Sequence, residues 1–342
     1  MSKQKTKLDV VAKMAGVSTA TVSRVINGKP GVSQEKAAEV QDIIRRMNFQ
    51  PAQRQRSALA RATAGFRHGN VAIFVLGHGH FEAPELLVKQ LDAISRTLLE
   101  KQINPILIMG SDNTCVLPPA VKRGQIDGII VFGEALPDTL DSLIADLPVV
   151  RMTSHRESHG DVVLAGNFEI GQAAANYLIG HSCRSLLAFN SVPANPVLQC
   201  RCAAFALSAE QRGRKVVSLN AASPASEKGT ASTRKLVQDL VTRIQMEKIS
   251  FDGIFVPDDR IAAVAHPLLK ENGLLDPQKV RMISCGNEEN YLLGLHPRPA
   301  SIDIGPEILG EQAVHSLCRR AQGEDRNMRV NVTISPHIIE GD

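Results

Sequence analysis

From Val71 onward, short apolar runs rich in β-branched residues alternate with longer stretches whose apolar residues recur at helical spacing. This alternation narrows the fold more than any other feature of the chain. The runs fall at 71–76, 105–109, 128–132, 149–152, 162–164, 186–189, 253–256 and 280–284. Between them, helices are expected over about 85–101, 118–123, 170–179, 203–211, 230–246, 260–272 and 307–321. A strand followed by a helix and another strand closes into a parallel pair, with helices on both faces of the sheet. The expectation is an α/β body of two lobes, each of about 120–140 residues, with a ligand cleft beyond the carboxyl ends of the strands. Aromatic residues make up only 4% and Trp is absent, so the core must be aliphatic.

The first 70 residues read differently. They carry 13 Lys/Arg and 4 Asp/Glu, against 26 and 31 in the remainder, so a head of +9 precedes a body of −5. A basic head on an acidic body points to a polyanionic partner for the head alone. Regular apolar spacing within it argues for folded structure. A first helix is expected over about 8–14, with Leu8, Val11, Ala12 and Ala15 on one face, ended by Gly16. Ser18 is placed to cap a second helix over 19–26, with Val22, Val25 and Ile26 inward. Asn27 and Gly28 end it, and a third helix follows over about 34–47, with Ala37, Val40, Ile44 and Met47 inward. The second helix turns Thr19, Ala20, Thr21, Ser23 and Arg24 outward. Short and hydroxylic side chains with one long cation suit a helix entering the major groove, where Arg24 can pair with guanine or phosphate.

The string from Ala15 through Gly28, followed by Val32 and Ser33 and closed by Phe49 and Pro51, resembles the head of the lactose-repressor/galactose-repressor family. The resemblance implies a helix-turn-helix domain over 1–51, with Thr19 and Ala20 reading bases and Arg24 beside them. Ser18, Thr21, Ser23, Asn27 and Lys29 complete the implied DNA-contacting set. Residues 52–70 would be a hinge in which a Leu wedges into the minor groove and Arg54 and Arg56 hold phosphates. Leu59 is the candidate wedge, although the family spacing from Pro51 falls on Ala58.

The body, 71–342, resembles the same family's effector domain, which is similar to periplasmic sugar-binding proteins. Arg201 with Phe205, the run Pro257-Asp258-Asp259-Arg260, and Gly286-Asn287-Glu288-Glu289 carry this likeness. It implies a cleft lined by Arg201, Asp259 and Glu288, joined by His80 and Phe81 from the first lobe. Carboxylates and a guanidinium fork suit a hydroxyl-rich, sugar-like effector. Asn287 and Glu288 depart from the family's residues, which keeps a constitutive DNA binder with a vestigial cleft as the alternative.

No catalytic constellation is found. Gly77, Gly79 and Glu82 only partly match a dinucleotide fingerprint, and the polar run 154–159 gives no triad. The six cysteines form no C-x-x-C pair, so neither a metal site nor a cofactor is expected. No segment approaches a membrane span and no apolar stretch follows the basic N-terminus, so a cytoplasmic protein is expected. The implied whole is a homodimeric regulator of a double-stranded operator, with a tetramer left open.

Overall fold

The computed structural model describes residues 3–26, 31–47, 65–76, 85–111, 114–133, 147–152, 160–222, 230–324 and 328–342. It divides into two compact units, Met1–Leu59 and Ala60–Asp342.

The first unit holds three helices: α1 (Lys3–Met14), α2 (Thr19–Ile26) and α3 (Gln34–Arg46). Val11, Ala12, Ala15, Val22, Val25 and Val40 form its core, with Val17, Ala37, Ile44 and Met47 packed around them. Helix α1 begins five residues before the expected start near residue 8. Its added turn is rich in Lys and Gln, which lose little rotamer freedom in a helix. Gly16 ends α1 at φ +61°. There Val17 N–H donates to Ala12 O at 3.0 Å and Gly16 N–H to Lys13 O at 3.4 Å, the paired bonds of a left-handed helix stop. Phe49, Pro51 and residues 52–64 of the expected hinge lie outside the described residues.

The second unit contains two sheets. The first consists of β1 (Asn70–Leu76), β2 (Asn104–Ser111), β3 (Thr114–Cys115), β4 (Gly128–Phe132), β5 (Val149–Met152), β6 (Asp161–Ala165) and β12 (Asn331–Ile334). Its order is β12-β6-β5-β4-β1-β2-β3. The second consists of β7 (Ser185–Asn190), β8 (Lys215–Asn220), β9 (Gly253–Phe255), β10 (Arg281–Cys285), β11 (Ala300–Asp303) and β13 (His337–Ile339), in the order β13-β11-β10-β9-β7-β8. All pairings are parallel except β2–β3 and β11–β13, at the sheet edges. The expected strands are all present. β3, β8, β11, β12 and β13 were not foreseen: β3 has two residues, β11 interleaves Ser301 and Asp303 with its apolar residues, and β8, β12 and β13 leave residues exposed at a sheet edge.

The helices of this unit are α4 (Glu85–Glu100), α5 (Pro119–Lys122), α6 (Asn167–Gly180), α7 (Pro196–Glu210), α8 (Thr230–Met246), α9 (Asp259–Glu271), α10 (Glu289–Leu292) and α11 (Pro306–Ala321). The lobes are not consecutive stretches of chain. After β6 the chain passes into the second lobe at Gly166, returns through Ile304 and Gly305 to α11 and β12, and ends in the second lobe at β13. Two of these crossings are tied together, because Gly166 N–H donates to Ile334 O at 2.9 Å. One continuous core runs from Leu98 and Val163 through Ile304 to Phe205 and Phe255, whose rings lie 5.1 Å apart.

Residues 65–70, the described end of the expected hinge, are fixed to the body. Phe66 is buried, and the Asp127 carboxylate accepts from the backbone N–H groups of Arg67, His68, Gly69 and Asn70 at 2.5–3.2 Å. Among the described residues no helix is long and apolar enough to cross a membrane. The cysteines are free thiols, with Cys183, Cys202 and Cys285 buried.

Candidate functional site

In the first unit the candidate surface is α2. Ser18 Oγ accepts from Thr21 N–H at 3.1 Å and lies 2.9 Å from Thr21 Oγ1, so one hydroxyl caps the first turn and a second braces it. Val22 and Val25 point into the core, whereas Thr19, Ala20, Ser23 and Arg24 are exposed. Thr21, expected outward, is half-buried. The helix contains no acidic residue. A rigid, capped helix thus presents a stripe of small side chains ending in one guanidinium, a shape and charge that fit a groove lined by phosphates. Asn27, Lys29, Arg54, Arg56 and Leu59 lie outside the described residues.

In the second unit the candidate site is the cleft between the lobes. Gly171 of α6 meets the backbone of Arg201 and Phe205 on α7 so closely that a Cβ would collide with both. This contact brings Arg201 to the start of α6. Its Nε donates to Asn167 Oδ1 at 2.9 Å and its Nη1 to Pro257 O at 2.9 Å. The guanidinium is buried, yet it borders a cavity of about 40 Å³ shared with Gln90, Met152, Val163, Asn167 and Ile304. Two of its nitrogens are held by the protein, and the fork is fixed before any ligand arrives. Asn167 went unnoticed in the sequence; the signal was the small, polar break of Gly166 and Asn167 between a strand and a helix.

The structure places Asp259 and Glu288 together, both buried. Asp259 accepts from the hydroxyl of Ser284, from Ser301 Oγ at 3.0 Å and from Glu288 N–H at 2.9 Å. Its carboxylate is therefore engaged within the second lobe. Burial pushes its pKa up to about 6, although the Ser284 bond opposes the shift. Asp258 caps α9 and pairs with Arg260 at 2.8 Å. Burial pushes its carboxyl upward, but the Arg260 charge and bond outweigh that and hold it below the ordinary value.

Glu288 reaches across the cleft. Its Oε2 accepts from Leu86 N–H at 3.3 Å, in the first turn of α4 in the opposite lobe. In return, Glu85 Oε2 accepts from Asn290 N–H at 3.4 Å. These reciprocal bonds join the lobes through the chain's own carboxylates. Burial first, and the Asp258 charge second, raise the Glu288 pKa to about 7. Asn287, at φ +50°, donates its amide to Asp303 at 2.9 Å, beside the chain crossing. His80 and Phe81, the partial glycine motif at 77–82 and the polar run at 154–159 lie outside the described residues.

Residues 7–52 match the family model of bacterial regulatory proteins, lacI family, and residues 175–342 that of the periplasmic binding protein-like domain. Catabolite control protein A of Staphylococcus epidermidis is 30% identical over 176 residues, a match spanning 49% of this chain and 50% of that protein. The HTH-type transcriptional repressor PurR of Erwinia tasmaniensis is 27% identical over 340 residues, covering 96% of this chain and 94% of that one. Among solved structures, the lac repressor dimer bound to operator and the anti-inducer ONPF has a TM-score of 0.71 at 16% identity, covering 97% and 96% of the two chains. At that identity the likeness is one of fold.

Proposed function

We propose, from the premise that the chain belongs to the lacI family of bacterial regulatory proteins, that it is a repressor-type transcription regulator with a DNA-reading head and an effector-sensing body. The observation that carries the reading is a capped, exposed α2 in a strongly basic unit, joined in one chain to a two-lobed body with a preset guanidinium in its cleft.

In this reading residues 1–51 dock on double-stranded DNA. Thr19, Ala20 and Arg24 face base edges, and Ser18, Thr21, Ser23, Asn27 and Lys29 hold the backbone. Residues 52–70 form the hinge, with Arg54 and Arg56 on phosphates and Leu59 as the minor-groove wedge. The body, 71–342, binds a small carbohydrate-like effector through Arg201, with His80 and Phe81 on the first-lobe side and Asp259 and Glu288 on the second. Exposed Leu107 and Met109 on β2 and exposed Val116 beyond β3 favour burial against a second copy, and a dimer suits two half-sites. The protein acts in the cytoplasm, without catalysis.

Selection of bound sequences from random DNA with the full-length protein tests the head. Enrichment of a near-palindrome supports a dimeric reader, and no enrichment at any salt concentration counts against it. A second reading has its own observation: the Asp259 carboxylate is engaged by Ser284, Ser301 and Glu288 N–H, and Glu288 bonds Leu86 rather than facing an open cleft. This favours a constitutive regulator whose lobes close without ligand. A thermal-shift screen against sugars and sugar phosphates separates the two, since a ligand of the native state raises the melting temperature.

A further inference from the structure

The second lobe has another concavity, at the edge of its sheet opposite the interlobe cleft. It has a volume of about 80 Å³. Arg281 opens β10 and Ala300 opens β11, and both border it. Ser284 and Glu288, which belong to the cleft, lie toward and beyond the other end of β10. The two sites are therefore separate.

The walls are partly apolar and partly polar. Leu275, Met282 and Pro299 are buried, and Pro277, Val280 and Pro297 complete the lining. The rim carries three cations, Lys270, Arg281 and Arg298, beside the Asp342 side-chain carboxylate. Arg298 is paired with Glu289 at 2.8 Å. Asp342 is turned to the Arg298 N–H, at 3.1 Å. Lys270 Nζ donates to the carbonyl of His296 at 2.8 Å, and Arg281 Nη1 to the Tyr177 hydroxyl at 3.5 Å. Neither Lys270 nor Arg281 has a carboxylate partner among the described residues. The Tyr177 hydroxyl in turn donates to Glu340 at 2.9 Å. His266 contributes a ring nitrogen bonded to Pro297 O at 3.2 Å.

We infer that this concavity is a binding site for a small organic anion with an apolar body, such as an aryl or alkyl carboxylate. Two cations without anionic partners beside a low-dielectric wall attract negative charge more strongly than they would on an open surface. The apolar part of the wall gives nothing to an inorganic anion, but it favours a hydrocarbon group that it covers. Charge and shape together select a carboxylate carried on a small hydrocarbon frame.

The test uses full-length protein with labelled methionine methyl groups, the Met282 signal being assigned from the Met282→Leu variant. Benzoate, acetate and benzyl alcohol are titrated in parallel. Benzoate is expected to shift Met282 saturably, with acetate and benzyl alcohol at least about tenfold weaker. The Lys270→Ala/Arg281→Ala double variant should weaken benzoate by at least about tenfold. Both side chains are exposed, so its melting temperature should match the parent's. No saturable response to benzoate overturns the inference. So does equal binding of benzyl alcohol, which would make the concavity a neutral crevice, or undiminished binding by the double variant. Acetate binding as tightly as benzoate removes the apolar body from the assignment.

Discussion

Replacing Glu288 by Gln sets two opposing effects against each other. The carboxylate meets the first turn of α4 through Leu86 N–H at 3.3 Å, where orphan amides and the helix dipole favour negative charge by up to about 2 kcal/mol. Burial and the charge of Asp258 act the other way and win, raising the pKa from 4.5 to about 7, while the Leu86 bond and Arg260 pull it down less. Asp259, raised to about 6 by its own burial, lies in the same cluster. The gap at Glu288 corresponds to roughly 3 kcal/mol between its two protonation states. Because the folded pKa lies above the unfolded one, the native state binds more protons between pH 4.5 and about 7. Stability therefore falls as pH rises through that window. The penalty is fully present above the folded pKa and absent below the unfolded one. Gln keeps an oxygen for Leu86 N–H and removes the charge. Glu288→Gln should therefore match the parent at acid pH and exceed it by about 1–3 kcal/mol at about pH 8, measured as the urea midpoint of the body. The reasoning is refuted if the variant is less stable at that pH while keeping the parent's pH slope. Glu288 would then be a carboxylate stabilised by the facing helix.

Ser18→Ala removes the acceptor of Thr21 N–H and should destabilise the head by about 1 kcal/mol, read from its own thermal transition; an unchanged transition would leave the cap without energetic weight. Arg24→Ala should weaken operator binding by about 1–3 kcal/mol if its guanidinium meets a base, measured at fixed salt. A loss equal on all sequences would assign it to phosphate instead. Arg201→Lys keeps the charge but loses the fork that spans Asn167 and Pro257. It should reduce effector response at least about tenfold while leaving operator affinity unchanged. Loss of both would make Arg201 a residue of the fold alone.

What could be read in the sequence follows what each signal measures. Periodicity reports burial, so β4 and β5, fully buried, and α2, amphipathic around Val22 and Val25, were legible to the residue. β12 and β13 bury no continuous stripe, and their place is set by pairing with β6 and β11 across the chain crossings. No local pattern encodes that pairing, which is why the interleaving of the lobes was hidden. The cleft shows the same division. The resemblance to the family's effector domain marked Arg201, Asp259 and Glu288 as residues of the cleft. Whether a carboxylate stays open to a ligand depends on what else comes within hydrogen-bond distance, and Ser284, Ser301 and Leu86 come from distant stretches of chain. Glu288 has the longer reach that an Asp would lack, and here that reach spans the cleft to another lobe's backbone. A longer acidic side chain at this position thus exchanges an acceptor for ligand hydroxyls for an internal tie, so the chemistry that suggests a sugar site also supplies the means of closing it.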